Sequence, residues 1–244
     1  MQAVPDVVRK HWPEYLMEAA GLGLFMISAA VVTTLLEYPH SPLHGLFADQ
    51  ATRRLMIGLA MGATAIGLIY SPWGKRSGAH LNPAVTLTFY RLGKIGGIDA
   101  CSYVMAQFFG GALGLWLVSR AIGKAVEHPA VNYVVTTPGP AGSGTAFVAE
   151  ALISFGLMLV VLMVSNTKSL NAWTGCVAGA LVAAYIAIEA PLSGMSMNPA
   201  RSFASALPAH LWTAFWIYLT APLIGMLLAA EVYVRVHGAH RGLC

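Results

Sequence analysis

Six long stretches of this chain carry no charged side chain: residues 19–36, 55–74, 100–119, 151–167, 169–188 and 202–230. A helix needs about 20 apolar residues to cross a hydrocarbon core of about 30 Å. Runs of that length, repeated along nearly the whole chain, leave little material for a soluble surface. Composition agrees: 57% of the residues are apolar and 10% are charged, against roughly 25% charged in an ordinary soluble domain. The pattern specifies an all-α polytopic membrane protein. It excludes a cytosolic enzyme and a nucleic-acid-binding module, despite a net charge of +4.

The spans are expected at about 15–36, 55–71, 100–120, 145–164, 172–189 and 211–234. An even number places both termini on one side. Arg9, Lys10, Lys75, Arg76, Arg91, Lys94, Lys168, Arg235 and Arg241 then share one face, and Arg53, Arg54, Arg120, Lys124 and Arg201 the other. The positive-inside rule assigns the richer face, and so both termini, to the cytoplasm of an inner (plasma) membrane. Glu14 and Glu18 interrupt any signal-peptide core after Arg9 and Lys10, so the first span is expected to be retained. Cys101, Cys176 and Cys244 are scattered and odd in number. They suggest neither a disulfide framework nor a metal site, and read as small apolar residues.

Two uncharged segments, 77–90 and 193–207, are too short to cross. They share a construction. Ser77-Gly78-Ala79-His80 and Ser193-Gly194-Met195-Ser196 lead into Asn82-Pro83-Ala84 and Asn198-Pro199-Ala200. Glu18 and Glu150 also stand at matching places early in the first and fourth spans. Two halves of three spans each, about 12–125 and 144–237, carry the same markers in the same order. Three is odd, so the halves are inverted repeats within one domain, 1–244.

Asn is a preferred helix N-cap, and Pro is favoured at the first helical position because its missing N–H would be unpaired there anyway. Each Asn-Pro-Ala therefore starts a helix, with Gly93 and Pro208 as the expected ends. A helix of about 10 residues is about 15 Å long, half the hydrocarbon core. Two such half-helices entering from opposite faces meet at the midplane. Extended backbone before each cap is tolerated at that depth only where it lines a water-filled passage. The converging N-terminal dipoles, each about +0.5 charge, and the Asn82 and Asn198 amides donating into the lumen would repel cations and hold water. Carbonyls of 78–80 and 194–196 would hold water on either side.

Ser77-Gly78-Ala79-His80-Leu81-Asn82-Pro83-Ala84-Val85-Thr86 and Met197-Asn198-Pro199-Ala200-Arg201-Ser202 resemble the two signature loops of the aquaporin family. Gln107 to Ala112 in the third span and Pro222 to Gly225 in the sixth extend the resemblance over the whole chain. It implies six membrane helices plus two re-entrant half-helices, and passive passage of water and small neutral solutes without a cofactor or catalysis. It further implies a homotetramer in lipid, with one pore per subunit. By the same resemblance, Glu18 and Glu150 accept backbone N–H groups of the loops, and His80 lines the pore.

The resemblance places a selectivity filter at Met61, Ile186, Met195 and Arg201, with Gly62 as the alternative to Met61. This set departs from both common patterns. Strict water channels usually carry an aromatic in the second span and His in the fifth; glycerol facilitators carry two aromatics and a small residue. Ser202 and Ala206 resemble water channels, whereas Leu219 resembles facilitators. A channel mainly for glycerol, urea or a similar solute is thus the nearer rival. A proton-coupled transporter is the more distant one, with Glu18 and Glu150 as its only deep acids. Glu189 reads as a surface ion-pair partner of Arg53 or Arg54, or else as vestibule lining, and His40, His44 and His128 as solvated loop residues. Gly58, Gly62, Gly67, Gly110, Gly111, Gly114, Gly175 and Gly179 are expected at close helix crossings.

Overall fold

The computed structural model describes residues 4–238, so Arg241 and Cys244 lie outside the described residues. Within them the chain forms α1 (Val4–Glu37), α2 (Pro42–Leu46), α3 (Gln50–Tyr70), α4 (Pro72–Ser77), α5 (Pro83–Arg91) and α6 (Gly97–Ile122), then α7 (Lys124–Glu127), α8 (Gly142–Ser165), α9 (Thr174–Ser193), α10 (Pro199–Ala209) and α11 (Phe215–His237). Six of these, α1, α3, α6, α8, α9 and α11, are long and apolar enough to cross a membrane. The short α5 and α10 are the two half-helices.

The helices outrun the apolar stretches in several places, because a charge ends a stretch without ending a helix. α1 begins at Val4 and runs through Pro13. Its first turns are tied down by polar contacts: His11 Nδ1 lies 2.9 Å from Asp99, the Tyr15 hydroxyl donates to Asp99 at 2.6 Å, and Arg76 pairs with Glu14 at 2.8 Å. α3 begins at Gln50 because Asp49 caps it, accepting from the Thr52 amide at 2.7 Å. Thr52's amide and hydroxyl together hold that exposed carboxyl below the usual carboxylate range. The sixth span starts at Phe215, four residues late, since Ala214 takes φ +51 and breaks the helix before it.

Gly93, at φ +70, follows the end of α5 as expected. Pro208 does not end α10. Its ring fits helical φ, and the helix runs on to Ala209; it stops where His210 turns to φ +49 and Leu211 N–H bonds back to the Ala206 carbonyl at 3.2 Å.

The most extensive helix pairs are α1 with α6, α8 with α11 and α3 with α9. Small residues set all three, and in α3–α9 a Cβ on Gly58 would sit 2.6 Å from the Ala183 carbonyl oxygen. A Cβ on Gly110 would sit 2.1 Å from the Ala19 carbonyl oxygen, and one on Gly225 would sit 2.3 Å from that of Ala151. The matching clashes in α1–α6 and α8–α11 express the inverted repeat in packing. Gly67 departs from expectation: a Cβ there meets nothing within 4 Å, so it marks no crossing.

Candidate functional site: a lumen closed by two half-helices

Asn82 and Asn198 hold extended backbone at the heads of α5 and α10, at φ −159 and −146. The Asn82 side-chain oxygen accepts from Ala84 N at 2.9 Å, and that of Asn198 from Ala200 N at 3.1 Å and Arg201 N at 3.2 Å. The Pro at each first position adds no unpaired donor. The caps are therefore built as the residue types require. The amides act differently from expectation. Asn82 Nδ2 donates to the Met197 carbonyl at 2.7 Å and Asn198 Nδ2 to the Leu81 carbonyl at 2.8 Å. One N–H of each amide thus ties the opposite loop, leaving one per amide at the lumen wall.

The loops before the caps need positive φ at several positions. Gly78 (φ +88) ends α4 and Gly194 (φ +84) ends α9; Ala79, Leu81, Met195 and Met197 follow at φ +48, +49, +48 and +53. Non-glycine residues rarely hold this region unless their surroundings impose it. Glu18 and Glu150 impose it. Glu18 accepts from His80 N at 3.0 Å, Leu81 N at 2.6 Å, Ser77 Oγ at 2.7 Å and Gln107 Nε2 at 2.8 Å. Glu150 accepts from Ser196 N and Ser193 Oγ, both at 2.7 Å, and Met197 N at 2.8 Å. Tyr103 and Tyr218 hydroxyls pin the Ser77 and Ser193 carbonyls at 2.7 and 2.5 Å. With the N–H groups drawn back to buried carboxylates, the other edge of each loop is left to the lumen. Residues 78–80 and 194–196 all line it.

That lumen is a cavity of about 490 Å³ running from Ser165 and Thr174 at one end, past Asn82 and Asn198, to Glu37 and Arg54 at the other. Met61, Ile186, Met195 and Arg201 line it together, and so does His80. Gly62 does not; it faces α9, where a Cβ would lie 2.5 Å from the Gly179 carbonyl. Met61 is held from behind, with Ser28 Oγ 3.9 Å from its sulfur. Arg201 Nη1 is buried without a hydrogen-bond partner. His80 Nδ1 lies 3.1 Å from Thr86 Oγ1, and the ring stacks on Phe89 at 5.1 Å.

Glu189 is not the surface ion-pair partner the sequence suggested. It is 6% exposed, and among the described residues neither carboxyl oxygen has a hydrogen-bond partner. Its expected cations are engaged elsewhere: Arg53 pairs with Glu37 at 3.1 Å, and Arg54 donates to the Ala187 carbonyl at 2.9 Å. Glu189 does not line the lumen either. His40 is exposed as expected, whereas His44 and His128 are half-buried, and all three have neighbours. His40 and His128 each meet Tyr38 edge-on at 5.3 Å, and His44 Nδ1 lies 2.9 Å from the Leu36 carbonyl.

One wall of the outer lumen escaped the sequence reading. Val131, Val134 and Val135 line it, from a connection in which Asn132, Tyr133 and Val134 hold φ +42, +52 and +53. This connection is anchored to the second loop. Thr136 Oγ1 lies 2.7 Å from Ser202 Oγ, itself 2.6 Å from Ser196 Oγ, and Gly139 N donates to the Leu192 carbonyl at 2.9 Å. Burial beside Glu127 pushes the Tyr133 phenol above its ordinary range.

Comparison with known proteins agrees with this geometry. The backbone superposes on the aquaglyceroporin of Plasmodium falciparum with a TM-score of 0.77 at 21% identity, covering 93% of this chain and 96% of that one. A probable aquaporin of Archaeoglobus fulgidus, AqpM, is 36% identical over 72% of this chain and 74% of its own length. Aquaporin NIP2-2 of Zea mays is 33% identical over 88% and 72%. Aquaporin NIP6-1 of Arabidopsis thaliana is 37% identical over 74% of this chain, and the match spans 58% of that longer protein. The family model described as major intrinsic protein matches residues 8–233, and the chain belongs to that family, the aquaporins.

Proposed function

We propose that the chain is a passive channel whose main permeant is water, with Met61, Ile186, Met195 and Arg201 as its filter and Asn82-Pro83-Ala84 and Asn198-Pro199-Ala200 as its central constriction. Family membership makes it a membrane channel for water and small neutral solutes. The observation that carries the finer reading is the lumen itself, continuous past two half-helix N-termini joined by the Asn82 and Asn198 amides. Two positive dipole ends at that point oppose a cation, while the remaining amide N–H groups and the loop carbonyls replace the hydrogen bonds of bulk water.

A second reading has a specific observation behind it. Ile186, Met61 and Met195 line the lumen together with Arg201 and give it apolar surface against which a slim polyol could lay its carbons. We therefore expect a minor flow of glycerol or urea beside water. Proton coupling is disfavoured, because Glu18 and Glu150 already accept four and three hydrogen bonds, from the loops, the helix ends before them and, for Glu18, Gln107 of α6. The nine-to-five distribution of Lys and Arg supports cytoplasmic termini in a plasma membrane, taken over 14 basic residues. We place the chain there as a homotetramer surrounded by lipid, as the family resemblance implies.

Stopped-flow light scattering on proteoliposomes tests the proposal, comparing osmotic shrinkage with re-swelling in glycerol and urea gradients. Water permeability well above empty liposomes, with slower solute entry, is expected. Faster solute entry than water flow would favour the second reading, and flow that requires a proton gradient would overturn both.

A further inference from the structure

Four of the side chains lining the lumen are methionines: Met61, Met158, Met195 and Met197. Met158, Met195 and Met197 pack in one cluster, while Met61 approaches from α3. A thioether is a soft two-electron donor, oxidised to the sulfoxide by peroxides. Reach decides which methionines react. Met105 and Met163 are exposed on α6 and α8, but those helices are long and apolar enough to cross a membrane, and in a bilayer these positions would be turned away from water. Met195 and Met61 are 5% and 2% exposed, yet the lumen is the wet part of this protein at that depth.

Resting on the channel reading above, we propose that Met195, with Met61 on the same lumen wall, is an oxidative modification site supplied from inside the lumen. Its reagent is hydrogen peroxide, which matches water closely enough in size and hydrogen bonding to follow it to the filter. The sulfur lone pair attacks one peroxide oxygen; the S–O bond forms as the O–O bond breaks. The departing hydroxide takes the proton of the transferred hydroxyl and leaves as water. Sulfur is oxidised by two electrons and peroxide is reduced.

The product suits this filter in a way the thioether does not. Arg201 Nη1 has no acceptor among the described residues of the protein, and a sulfoxide oxygen is a strong one that competes with water for it. Accepting from Arg201 would draw the Met195 side chain toward the guanidinium, across the passage. An apolar wall becomes a polar group bonded to the residue that holds the permeating water. Oxidation therefore narrows the filter and slows water.

The test uses the full chain in liposomes, with water permeability of untreated protein measured first. Hydrogen peroxide is then compared with a bulky arylsulfonamide N-chloramine, which oxidises accessible thioethers but is too large for the lumen. Peptide mass spectrometry locates the added oxygen. Peroxide is expected to oxidise the Met195 peptide and lower water flow about tenfold, the effect of one hydrogen bond from Arg201 lost to a water at the barrier. The chloramine should do neither. Met195→Leu keeps an unbranched Cβ at φ +48, a region that Leu81 already occupies in the matching loop, and each variant is read against its own baseline. Under peroxide it should lose much less of its flow than the wild type. Unmodified Met195 and Met61 in a conducting channel would overturn the oxidation site. So would sulfoxide at Met195 with unchanged flow, or equal loss in Met195→Leu. A baseline no higher than empty liposomes would instead overturn the channel reading, and the oxidation site with it.

Discussion

The side-chain amide of Asn82 donates to the carbonyl oxygen of Met197 at 2.7 Å, joining two loops that enter the membrane from opposite faces. Asn198 returns the contact to Leu81 at 2.8 Å. Each asparagine thus caps its own half-helix with Oδ1 and holds the other repeat's loop with Nδ2. No other residue type of that length offers both an acceptor and two donors without charge.

Substitution at residue 82 separates the two roles. Asn82→Asp keeps the acceptor for Ala84 N but has no donor for the Met197 carbonyl, and it sets a carboxylate against that oxygen. Asn82→Ser keeps a neutral cap and loses the junction. Stranding a buried carbonyl costs about 1–3 kcal/mol, so thermal midpoints in detergent should fall in the order wild type, Ser, Asp. An Asp variant as stable as the wild type would mean that the amide bridge contributes nothing.

The Asn-Pro-Ala starts were legible in the sequence because capping is local: the Asn side chain and the missing Pro N–H act within one turn. The spans were legible because lipid dictates hydropathy residue by residue. Their ends were not, since Arg53 and Arg54 end an apolar stretch but sit within the first two turns of α3. Glu189 misled for a different reason. Nothing local reveals that Arg53 is already paired with Glu37 and that Arg54 is bound to a carbonyl. The valine wall was illegible too, because Val134 sits at φ +53, a conformation that β-branched residues avoid. The anchoring of 136–139 to the second loop, the burial of Val134 in the core and the bond from its N–H to the Val131 carbonyl hold it there.

The two buried glutamates are expected to be structural. Glu18→Leu removes the acceptor of His80 N and Leu81 N together, at about 1–3 kcal/mol for each stranded donor. Folded yield should drop, and Glu150→Leu should behave alike. Glu150→Gln offers an amide N–H to Ser196 N or Met197 N, so it should lose stability as well as flow. Size-exclusion profiles and thermal midpoints measure this. A monodisperse, fully stable Glu150→Gln protein without water flow would instead point to a proton relay.

Two glycines in different surroundings give opposite expectations. In Gly110→Ala the new Cβ lies 2.1 Å from the Ala19 carbonyl oxygen, a backbone atom, so α1 and α6 must separate. Overpacking of this kind costs about 1–3 kcal/mol or more. In Gly67→Ala the Cβ meets nothing within 4 Å, and Ala is the better helix former by about 1 kcal/mol. Thermal melts should show Gly110→Ala below the wild type and Gly67→Ala level with or above it. The reverse order would contradict the packing described for α1 and α6.

In the proposed filter, Ile186 is expected to decide how a solute larger than water is treated. It lines the lumen with Met61, Met195 and Arg201, so Arg201 brings the only hydrogen-bond donors among these four side chains. Glycerol can lay its carbons along Ile186 and Met195 and turn its hydroxyls toward Arg201. Ile186→His replaces that apolar contact with a ring nitrogen and narrows the passage. Water gains a second polar partner, whereas the carbon backbone of glycerol loses its surface. Facing a solute with the wrong polarity is worth about 1–3 kcal/mol, or roughly one to two decades in rate. The ratio of glycerol to water permeability, measured for both proteins in the same liposomes, should fall by that amount. An unchanged or higher ratio would remove Ile186 from the filter, and with it the filter roles of Met61 and Met195.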